Sequence, residues 1–171
     1  MSGLVQLDQS ITNRIRTWGQ PRYGFWKFVA SQSLGLYIGL ALTLSVVQSL
    51  QFGHFVAIMT ATYLLGNILQ SLIKRERPDF KKLTGYTMWW HAYSYPSVHA
   101  ATSAAAALAL ILLTNFASPP AMFVMAGGTL MLSWLIGISR LVVGVHFAAD
   151  VVSGWVLGFV VAWSYVSWLG L

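Results

Sequence analysis

The sequence predicts an all-α integral-membrane bundle of about five transmembrane helices, preceded by an amphipathic helix at the membrane surface. Of its 171 residues, 57% are hydrophobic and only 8% are charged, whereas about 25% of an ordinary soluble domain is charged. The charges are also clustered, which leaves three long segments without Asp, Glu, Lys or Arg. A water-soluble monomer is therefore excluded. The absence of cysteine excludes a secreted disulfide scaffold.

The first 24 residues predict a helix that lies in the membrane surface. Charged and polar residues, including Asp8, separate apolar residues that recur at helical spacing. This pattern is typical of a helix that buries one face in the lipid boundary without crossing it. We expect residues 1–24 to form this helix and residues 25–171 to form the transmembrane core of a single domain. The apolar positions are Leu4, Leu7, Ile11, Ile15 and Trp18.

Each charge-free segment is long enough for one or two membrane spans. A helix needs roughly 20 apolar residues to cross about 30 Å of hydrocarbon. The first segment therefore holds two spans, hinged at Gln51–Gly53. The second holds two more, divided by the turn signal Ser118-Pro119-Pro120, and the third holds one. The predicted spans are Phe28–Leu50, His54–Ile73, Val98–Phe116, Ala121–Ser139 and Val145–Trp168.

Small residues within the predicted spans indicate close helix packing. Gly35 and Gly39 form one pair four residues apart, and Gly154 and Gly158 form another. The segment Ala100–Ala107 offers a third smooth face. Small side chains let helix backbones approach closely in lipid, where hydrophobicity does not drive association. We expect these faces to pack within the chain.

The five-span topology gathers the unusual polar residues at one membrane face. Ionisable residues are rare inside membrane proteins and commonly functional. Fixed cations with two histidines suit a phosphate ester, because the cations bind the oxyanion, one histidine attacks and the other protonates the leaving group. The segments are Arg77-Pro78 after the second span, Pro96-Ser97-Val98-His99 before the third, Ser139-Arg140 after the fourth, and His146 with Asp150 at the fifth, with Lys74 nearby.

The spacing of these residues supports a phosphoryl-transfer site. His146 and Asp150 are four residues apart, so on a helix they share one face. A carboxylate there holds a proton on one imidazole nitrogen and leaves the other free as a nucleophile. His99 begins a helix, where backbone N–H groups favour an anion. Arg77 and Arg140 provide guanidinium groups, each of which can bind two phosphate oxygens in a bidentate contact.

Together these segments resemble the type-2 phosphatidic acid phosphatase (PAP2) family, which is related to the vanadium haloperoxidases. The family signatures are K-x6-R-P, P-S-G-H and S-R-x5-H-x3-D. They correspond here to an incomplete first signature ending in Arg77-Pro78, a second reading Pro96-Ser97-Val98-His99, and a complete third formed by Ser139, Arg140, His146 and Asp150. The resemblance covers residues 70–150, roughly half of the chain.

The resemblance implies a mechanism for the site. His146 would become a phosphohistidine, oriented by Asp150. His99 would protonate the leaving group and then activate water for the second half-reaction. The resemblance implies neither a metal ion nor any other cofactor, because cationic side chains take that place. The groups implied to hold the phosphoryl oxygens are Arg77, Arg140, Ser97 and the backbone N–H of Val98.

Two positions depart from the family pattern. The lysine of the first signature is replaced by Gln70, which would lie two helical turns before Arg77 on the same face. Lys74 lies one turn before Arg77, and we expect its ammonium group to substitute in part for the missing lysine. Val98 replaces the glycine of the second signature, and its branched side chain is expected to crowd the approach of phosphate. Neither change removes a residue that makes or breaks a bond.

The sequence thus predicts a membrane phosphatase that hydrolyses a lipid phosphomonoester or terminal diphosphate. Polyprenyl phosphates or diphosphates, phosphatidylglycerol phosphate and phosphatidic acid all remain possible substrates. Two alternatives stay open: a lipid phosphotransferase that uses the same phosphohistidine, and a non-catalytic lipid-phosphate-binding protein. The partners expected are the substrate and membrane lipids, and no nucleic acid is expected despite the net charge of +6. The expected location is the cell membrane of a bacterium or archaeon.

The distribution of basic residues predicts that the site faces the cytoplasm. With five alternating spans, all ten Lys and Arg residues fall on the face that carries the site, which the positive-inside rule makes cytoplasmic. Reporter fusions within the loop Lys74–Pro96 should therefore give a cytoplasmic signal, and a periplasmic signal there would reverse the orientation. The bases that carry this argument independently of the site are Arg14, Arg16, Arg22, Lys27, Lys81 and Lys82.

Overall fold

All secondary-structure elements in the described part of the chain are helices. The structure is a computed structural model that describes residues 3–47, 50–78 and 93–171, so Lys81 and Lys82 lie outside the described residues. The predicted all-α fold is confirmed. The helices are α1 (Gly3–Gly19), α2 (Tyr23–Val47), α3 (Phe52–Ile73), α4 (Val98–Leu112), α5 (Pro119–Val142) and α6 (Ala148–Leu169), with a short 3-10 turn at Gln20–Arg22 between α1 and α2.

The helices α2 to α6 lie on the five predicted spans. Among the described helices, α3, α5 and α6 are each long and apolar enough to cross a membrane. The segments Gly3–Ser33 and Gly35–Val46 meet at an angle of 53° and supply a fourth span if they cross together. The helix α4 is apolar but only 15 residues long, because it ends at Leu112 instead of the predicted Phe116. A count of five independent spans therefore stays a prediction.

The short helix α4 lies at the centre of the bundle. It packs against α3, α5 and α6, and the alanines between Ala100 and Ala109 are fully buried. Alanine side chains allow the neighbouring helices to approach closely. A helix that is surrounded by protein need not cover the full hydrocarbon thickness, because its neighbours shield its ends.

Glycines bring α6 into contact with α4, as predicted for one of the two glycine pairs. A Cβ atom at Gly154 would lie 2.5 Å from the carbonyl oxygen of Ser97, and one at Gly158 would collide with the carbonyl oxygen of Ala101. The pair in α2 differs. No described atom lies within 4 Å of a Cβ built at Gly35 or Gly39. The prediction of close packing is therefore confirmed for α6 and wrong for α2.

The backbones of α4 and α6 are also tied together where both helices begin. Ser97 is the residue before the first turn of α4, and its backbone N–H donates to the carbonyl oxygen of Asp150 at 2.9 Å. Its hydroxyl oxygen accepts the N–H of Ala100 at 3.4 Å, which caps α4. Residues near the two helix starts are thus held at one end of the bundle.

The glycine contacts predict which substitutions destabilise the bundle. Gly158→Ala should lower the free energy of unfolding by about 1–3 kcal/mol, because the added methyl group meets the α4 backbone. Gly39→Ala adds the same group where the described structure leaves space, so it should be neutral or slightly stabilising. Unfolding in detergent solution measures both. Equal effects of the two variants would contradict the packing described here.

Candidate active site

The predicted nucleophile His146 is buried in the turn between α5 and α6. The turn covers residues 143–147, and Gly144 has a φ of +81°, a conformation that favours glycine. The side chain of His146 is 1% exposed. Because α6 begins at Ala148, His146 precedes the helix instead of sharing a helical face with Asp150. The turn nevertheless brings the two side chains close together.

Hydrogen bonds of His146 determine which ring nitrogen carries the proton. Nδ1 lies 2.8 Å from the carbonyl oxygen of Ser94, which is only an acceptor, so Nδ1 donates. Nη1 of Arg77 lies 3.2 Å from Nε2 and also donates to the carbonyl oxygen of Val145 at 2.9 Å. In the neutral ring Nε2 therefore keeps its lone pair and faces a guanidinium group. This is the arrangement that a histidine nucleophile requires.

The surroundings of His146 favour its neutral form. Burial is the main cause that holds its pKa well below the usual range, and the cations of Arg77 and Arg140 lower it further. The hydrogen bond to the Ser94 carbonyl acts in the opposite direction but does not outweigh them. The environment of His146 therefore favours the neutral imidazole.

Asp150 lies near His146, but it is not the closest acceptor for the Nδ1 proton. Its Oδ2 is 3.5 Å from Nδ1 of His146, farther than the Ser94 carbonyl oxygen. The same Oδ2 accepts the backbone N–H of Phe147 at 2.8 Å, which caps the start of α6. Asp150 is fully buried. The carboxylate thus orients the turn that carries His146 as well as facing the ring.

Sequence reasoning missed the contact between Asp150 and Arg75. The sequence suggests that Arg75 marks membrane topology or binds anionic headgroups. In the structure its Nη1 donates to Oδ1 of Asp150 at 2.7 Å, and its Nη2 donates to Oδ2 of Asp8 at 2.6 Å. Its guanidinium also lies 4.2 Å from the centre of the Phe147 ring. The sequence feature that could have indicated this contact is Asp150 itself, because an ionisable residue within a membrane span is usually paired with an opposite charge.

The N-terminal helix α1 supplies two further contacts to the start of α6. The backbone N–H of Ala149 donates to Oδ1 of Asp8 at 2.9 Å, and that of Ala148 donates to the hydroxyl of Thr12 at 2.9 Å. The first N–H groups of a helix have no partner within the helix. Here α1 provides those partners. The helix that the sequence predicts at the membrane surface therefore also contacts the first turn of α6, next to Asp150.

Arg140, predicted to bind phosphate, and His99, predicted to protonate the leaving group, lie near His146. Arg140, near the end of α5, is 1% exposed, and its Nη1 donates to the carbonyl oxygen of Ala30 at 3.4 Å. His99, in the first turn of α4, is exposed and interacts electrostatically with Arg140, His146 and Arg77. The side chains of Arg77, His99, Arg140 and His146 come from separate parts of the chain, and the fold brings them together at one end of the bundle.

A cavity of about 360 Å3 extends from His99 between α2, α3 and α4. Its wall is mostly apolar, and His99 and Tyr63 in it are exposed, so the cavity opens at the surface of the bundle. The residues that line it include Ser33, Tyr37, Met59, Tyr63, Val98 and His99.

Gln70 and Val98, the two residues that depart from the family pattern, both lie where α3 meets the start of α4. Gln70 is buried and its Nε2 donates to the carbonyl oxygen of Pro96 at 2.7 Å, just before α4. The side chain of Val98 packs against Gly66 of α3, where a Cβ would lie 3.1 Å from its Cγ2. Both residues thus join α3 to α4. Their predicted contacts with phosphate stay predictions.

Lys74 does not share a helix with Arg77. The helix α3 ends at Ile73, and Lys74 adopts the left-handed conformation with a φ of 54°. The expected alignment of Gln70, Lys74 and Arg77 on one helical face is therefore wrong. The side chain of Lys74 is exposed, and its role as a substitute cation stays a prediction.

The remaining histidine of the described residues serves a different contact. Nδ1 of His54, near the start of α3, lies 3.0 Å from the hydroxyl oxygen of Tyr165 near the end of α6. The two rings meet edge to face. His54 thus joins two helices, as expected for a structural histidine, and provides a control for the histidines of the site.

The sequence matches the model of the PAP2 superfamily over residues 51–170. Phosphatidylglycerophosphatase B of Bacillus subtilis (strain 168) is 35% identical over 101 residues, which are 56% of this chain and 46% of that protein. The chain thus spans about half the length of the curated relative it matches.

The fold is similar to the folds of two proteins of known crystal structure. The transmembrane PAP2 type phosphatidylglycerolphosphate phosphatase from Bacillus subtilis gives a TM-score of 0.75 at 23% identity, covering 99% of this chain and 88% of that one. Aquifex aeolicus LpxE gives 0.76 at 19% identity, covering 94% and 95%. With the apolar helices of this chain, these similarities establish an integral-membrane helical fold.

The lowered pKa of His146 predicts how stability depends on pH. The folded state excludes a proton that the unfolded chain takes up below about pH 6.5, so the free energy of unfolding falls as the pH drops below that value. His146→Gln removes this titration and should flatten the dependence by up to roughly 1.4 kcal/mol per pH unit. Unfolding in detergent between pH 5 and 7.5 measures the slopes. Equal slopes would show that folded His146 titrates normally.

Proposed function

The chain belongs to the PAP2 superfamily, and we propose that it is a membrane phosphatase that hydrolyses lipid phosphates through a phosphohistidine. One observation carries the proposal: the unprotonated Nε2 of buried His146 lies 3.2 Å from Nη1 of Arg77. A nucleophile and a cation that binds the phosphoryl oxygens are thereby adjacent. The Ser94 carbonyl oxygen, which accepts from Nδ1, keeps the ring in the reactive tautomer.

In the first half-reaction, Nε2 of His146 attacks phosphorus and the bond to the leaving oxygen breaks. His99 donates a proton to that oxygen, which leaves as an alcohol or, from a diphosphate, as a phosphate monoester. The imidazolium created at His146 is stabilised by Asp150, whose Oδ2 lies 3.5 Å from Nδ1. The product of this step is a phosphohistidine.

In the second half-reaction, water attacks the phosphohistidine. His99, now unprotonated, accepts a proton from the water, the P–N bond breaks, and inorganic phosphate leaves. Both histidines return to their starting states. Arg77 and Arg140 carry fixed positive charge beside the reacting phosphoryl group, which stabilises its oxygens in the transition state without a metal ion. Ser97 and the N–H of Val98 complete the proposed phosphate-binding set.

The apolar cavity beside His99 supports a lipid substrate. A headgroup phosphate at His99 would leave the acyl or prenyl chain between α2, α3 and α4, where the wall is mostly apolar. Among lipid phosphates we propose phosphatidylglycerol phosphate first, because the curated relative is named for that activity. We propose that the site faces the cytoplasm, because the basic residues gather on that face.

Phosphate release by the purified protein tests the function. The lipids to be compared in vesicles are phosphatidylglycerol phosphate, phosphatidic acid, and a polyprenyl phosphate and diphosphate. We expect release from at least one of them, fastest from phosphatidylglycerol phosphate and unchanged by EDTA. Transfer of phosphate to an added alcohol in place of water would identify a phosphotransferase. Binding without release or transfer would identify a non-catalytic lipid-phosphate-binding protein.

Histidine variants test the mechanism. His146→Ala and His99→Ala should each lower kcat by at least about 100-fold, because one removes the nucleophile and the other the general acid. His54→Ala should retain kcat within about threefold, because its ring contacts only Tyr165 among the described contacts. Activity in vesicles and the amount of folded protein are measured together. Full activity of folded His146→Ala would refute the mechanism.

A further inference from the structure

We propose that Arg75 and Asp8 are positioning residues of this reaction: Arg75 neutralises and orients Asp150, and Asp8 of the surface helix α1 holds Arg75 in place. The inference rests on the phosphatase function proposed above and adds two residues that the family signatures do not contain. It also gives α1 a role in catalysis beyond lying on the membrane surface.

The geometry of Arg75 leaves little freedom for the carboxylate of Asp150. One guanidinium nitrogen donates to Oδ1 of Asp150 at 2.7 Å, while the backbone N–H of Phe147 donates to Oδ2 at 2.8 Å. With both oxygens engaged, the carboxylate plane is set, and Oδ2 is placed 3.5 Å from Nδ1 of His146. The Phe147 ring lies against the guanidinium, so the side chain of Arg75 is held by packing as well as by charge.

Asp8 engages both of its carboxylate oxygens in this network. Oδ2 accepts from Nη2 of Arg75 at 2.6 Å, and Oδ1 accepts the backbone N–H of Ala149 at 2.9 Å. The adjacent N–H of Ala148 donates to Thr12 of the same helix. Asp8 therefore connects α1 to Arg75 and to the first turn of α6 through two bonds, within one residue of Asp150, and Thr12 adds a third bond between α1 and α6.

The ion pair of Arg75 with Asp150 also favours the neutral form of His146. A buried carboxylate requires a nearby cation. With Arg75 present, Asp150 has that cation and His146 stays neutral. Without Arg75, protonated His146 becomes the nearest partner of Asp150, and protonation of Nε2 removes the nucleophilic lone pair. Burial is the main cause of the lowered pKa of His146, and Arg75 contributes to it as well.

The other charged and titratable groups around His146 do not replace Arg75. Arg77 contacts Nε2 of His146, the nitrogen that must remain free of a proton. The described contact to the carboxylate of Asp150 is made by Arg75 instead. Arg140 interacts with the imidazoles from the end of α5. The groups that face His146 are Arg75 and Arg77 from the segment after α3, His99 from α4, Arg140 from α5 and Asp150 from α6, with Asp8 of α1 behind Arg75.

The exposed apolar side chains of α1 lie beside this contact and are suited to lipid. Leu4, Leu7 and Trp18 are 79%, 57% and 61% exposed, while Asp8 and Thr12 contact α6. An amphipathic helix with such a face is held at the membrane interface by its apolar side chains. The same helix that rests in the lipid surface thus holds the cation that positions Asp150.

Three variants separate charge from geometry. Arg75→Gln removes the charge, whereas Arg75→Lys keeps it but cannot bridge two carboxylates with a planar fork. Asp8→Asn retains an oxygen for the Ala149 N–H but removes the ion pair with Arg75. Glu76→Gln is the matched control, because it removes one negative charge from an exposed side chain next to Arg75. Each protein is assayed in vesicles with the lipid phosphate that the unmodified protein hydrolyses fastest.

We expect the variants to change kcat and the pH profile while KM stays nearly constant. Arg75→Gln should lower kcat by roughly 10- to 100-fold, the size usual for groups that orient a reacting residue, and raise the acid limb of kcat/KM by roughly one pH unit. Arg75→Lys should keep the acid limb and recover part of kcat. Asp8→Asn should lower kcat by a smaller factor, and Glu76→Gln should resemble the unmodified protein.

Hydrogen exchange gives a readout that does not depend on activity. The amide of Ala149 should exchange faster in Asp8→Ala than in the unmodified protein, because its acceptor is removed, while amides of α3 keep their protection. Unchanged exchange at Ala149 would refute the contact on which the proposal depends.

The outcomes distinguish this inference from the proposed function. If the unmodified protein releases phosphate but folded Arg75→Gln, Arg75→Lys and Asp8→Asn all retain its kcat and acid limb, the positioning role is refuted and the phosphatase stands. A loss of folded protein in Arg75→Gln leaves the other two variants to decide in the same way. If the unmodified protein releases no phosphate from any lipid, both proposals fail.

Discussion

The buried carboxylate of Asp150 is the constraint on which the rest of the site depends. A charged residue within a membrane helix costs about 2.5–3.5 kcal/mol by insertion measurements unless it is compensated. Asp150 receives that compensation from Arg75 and from the N–H of Phe147. Its own carbonyl oxygen accepts the N–H of Ser97, so it also joins the starts of α4 and α6. One residue thereby fixes the turn that carries His146 relative to the helix that begins beside it.

The helices and the main site residues could be predicted because lipid and chemistry each impose a sequence pattern. Hydrocarbon excludes charge, so the charge-free segments indicated where α2 to α6 lie, and motif spacing indicated His146 and Asp150. Arg75 was missed because its partners are 67 and 75 residues away along the chain, and no periodicity marks such a pair. The Ser94 carbonyl was missed for a related reason, since backbone acceptors leave no signal in side-chain identity.

The two departures from the family pattern have a common physical explanation. The amide of Gln70 binds the Pro96 carbonyl, and Val98 fills the space over Gly66, so both stabilise the contact of α3 with the start of α4. Polar and apolar contacts between helices replace a cation and a flexible glycine. The sequence could indicate the loss of charge and the added volume, but only the packing shows that both changes fall on one interface.

The proposed reaction depends on phosphorylation of Nε2 of His146 during turnover. Rapid quenching of the protein with a lipid labelled in its terminal phosphate, followed by digestion and mass spectrometry, tests it directly. We expect a phosphoryl group on the peptide containing His146, labile in acid and stable in base, that forms faster than phosphate is released. In His99→Ala this species should form more slowly, because no general acid protonates the leaving group. Turnover without any phosphorylated histidine, or with phosphate on another residue, would rule out His146 as the nucleophile.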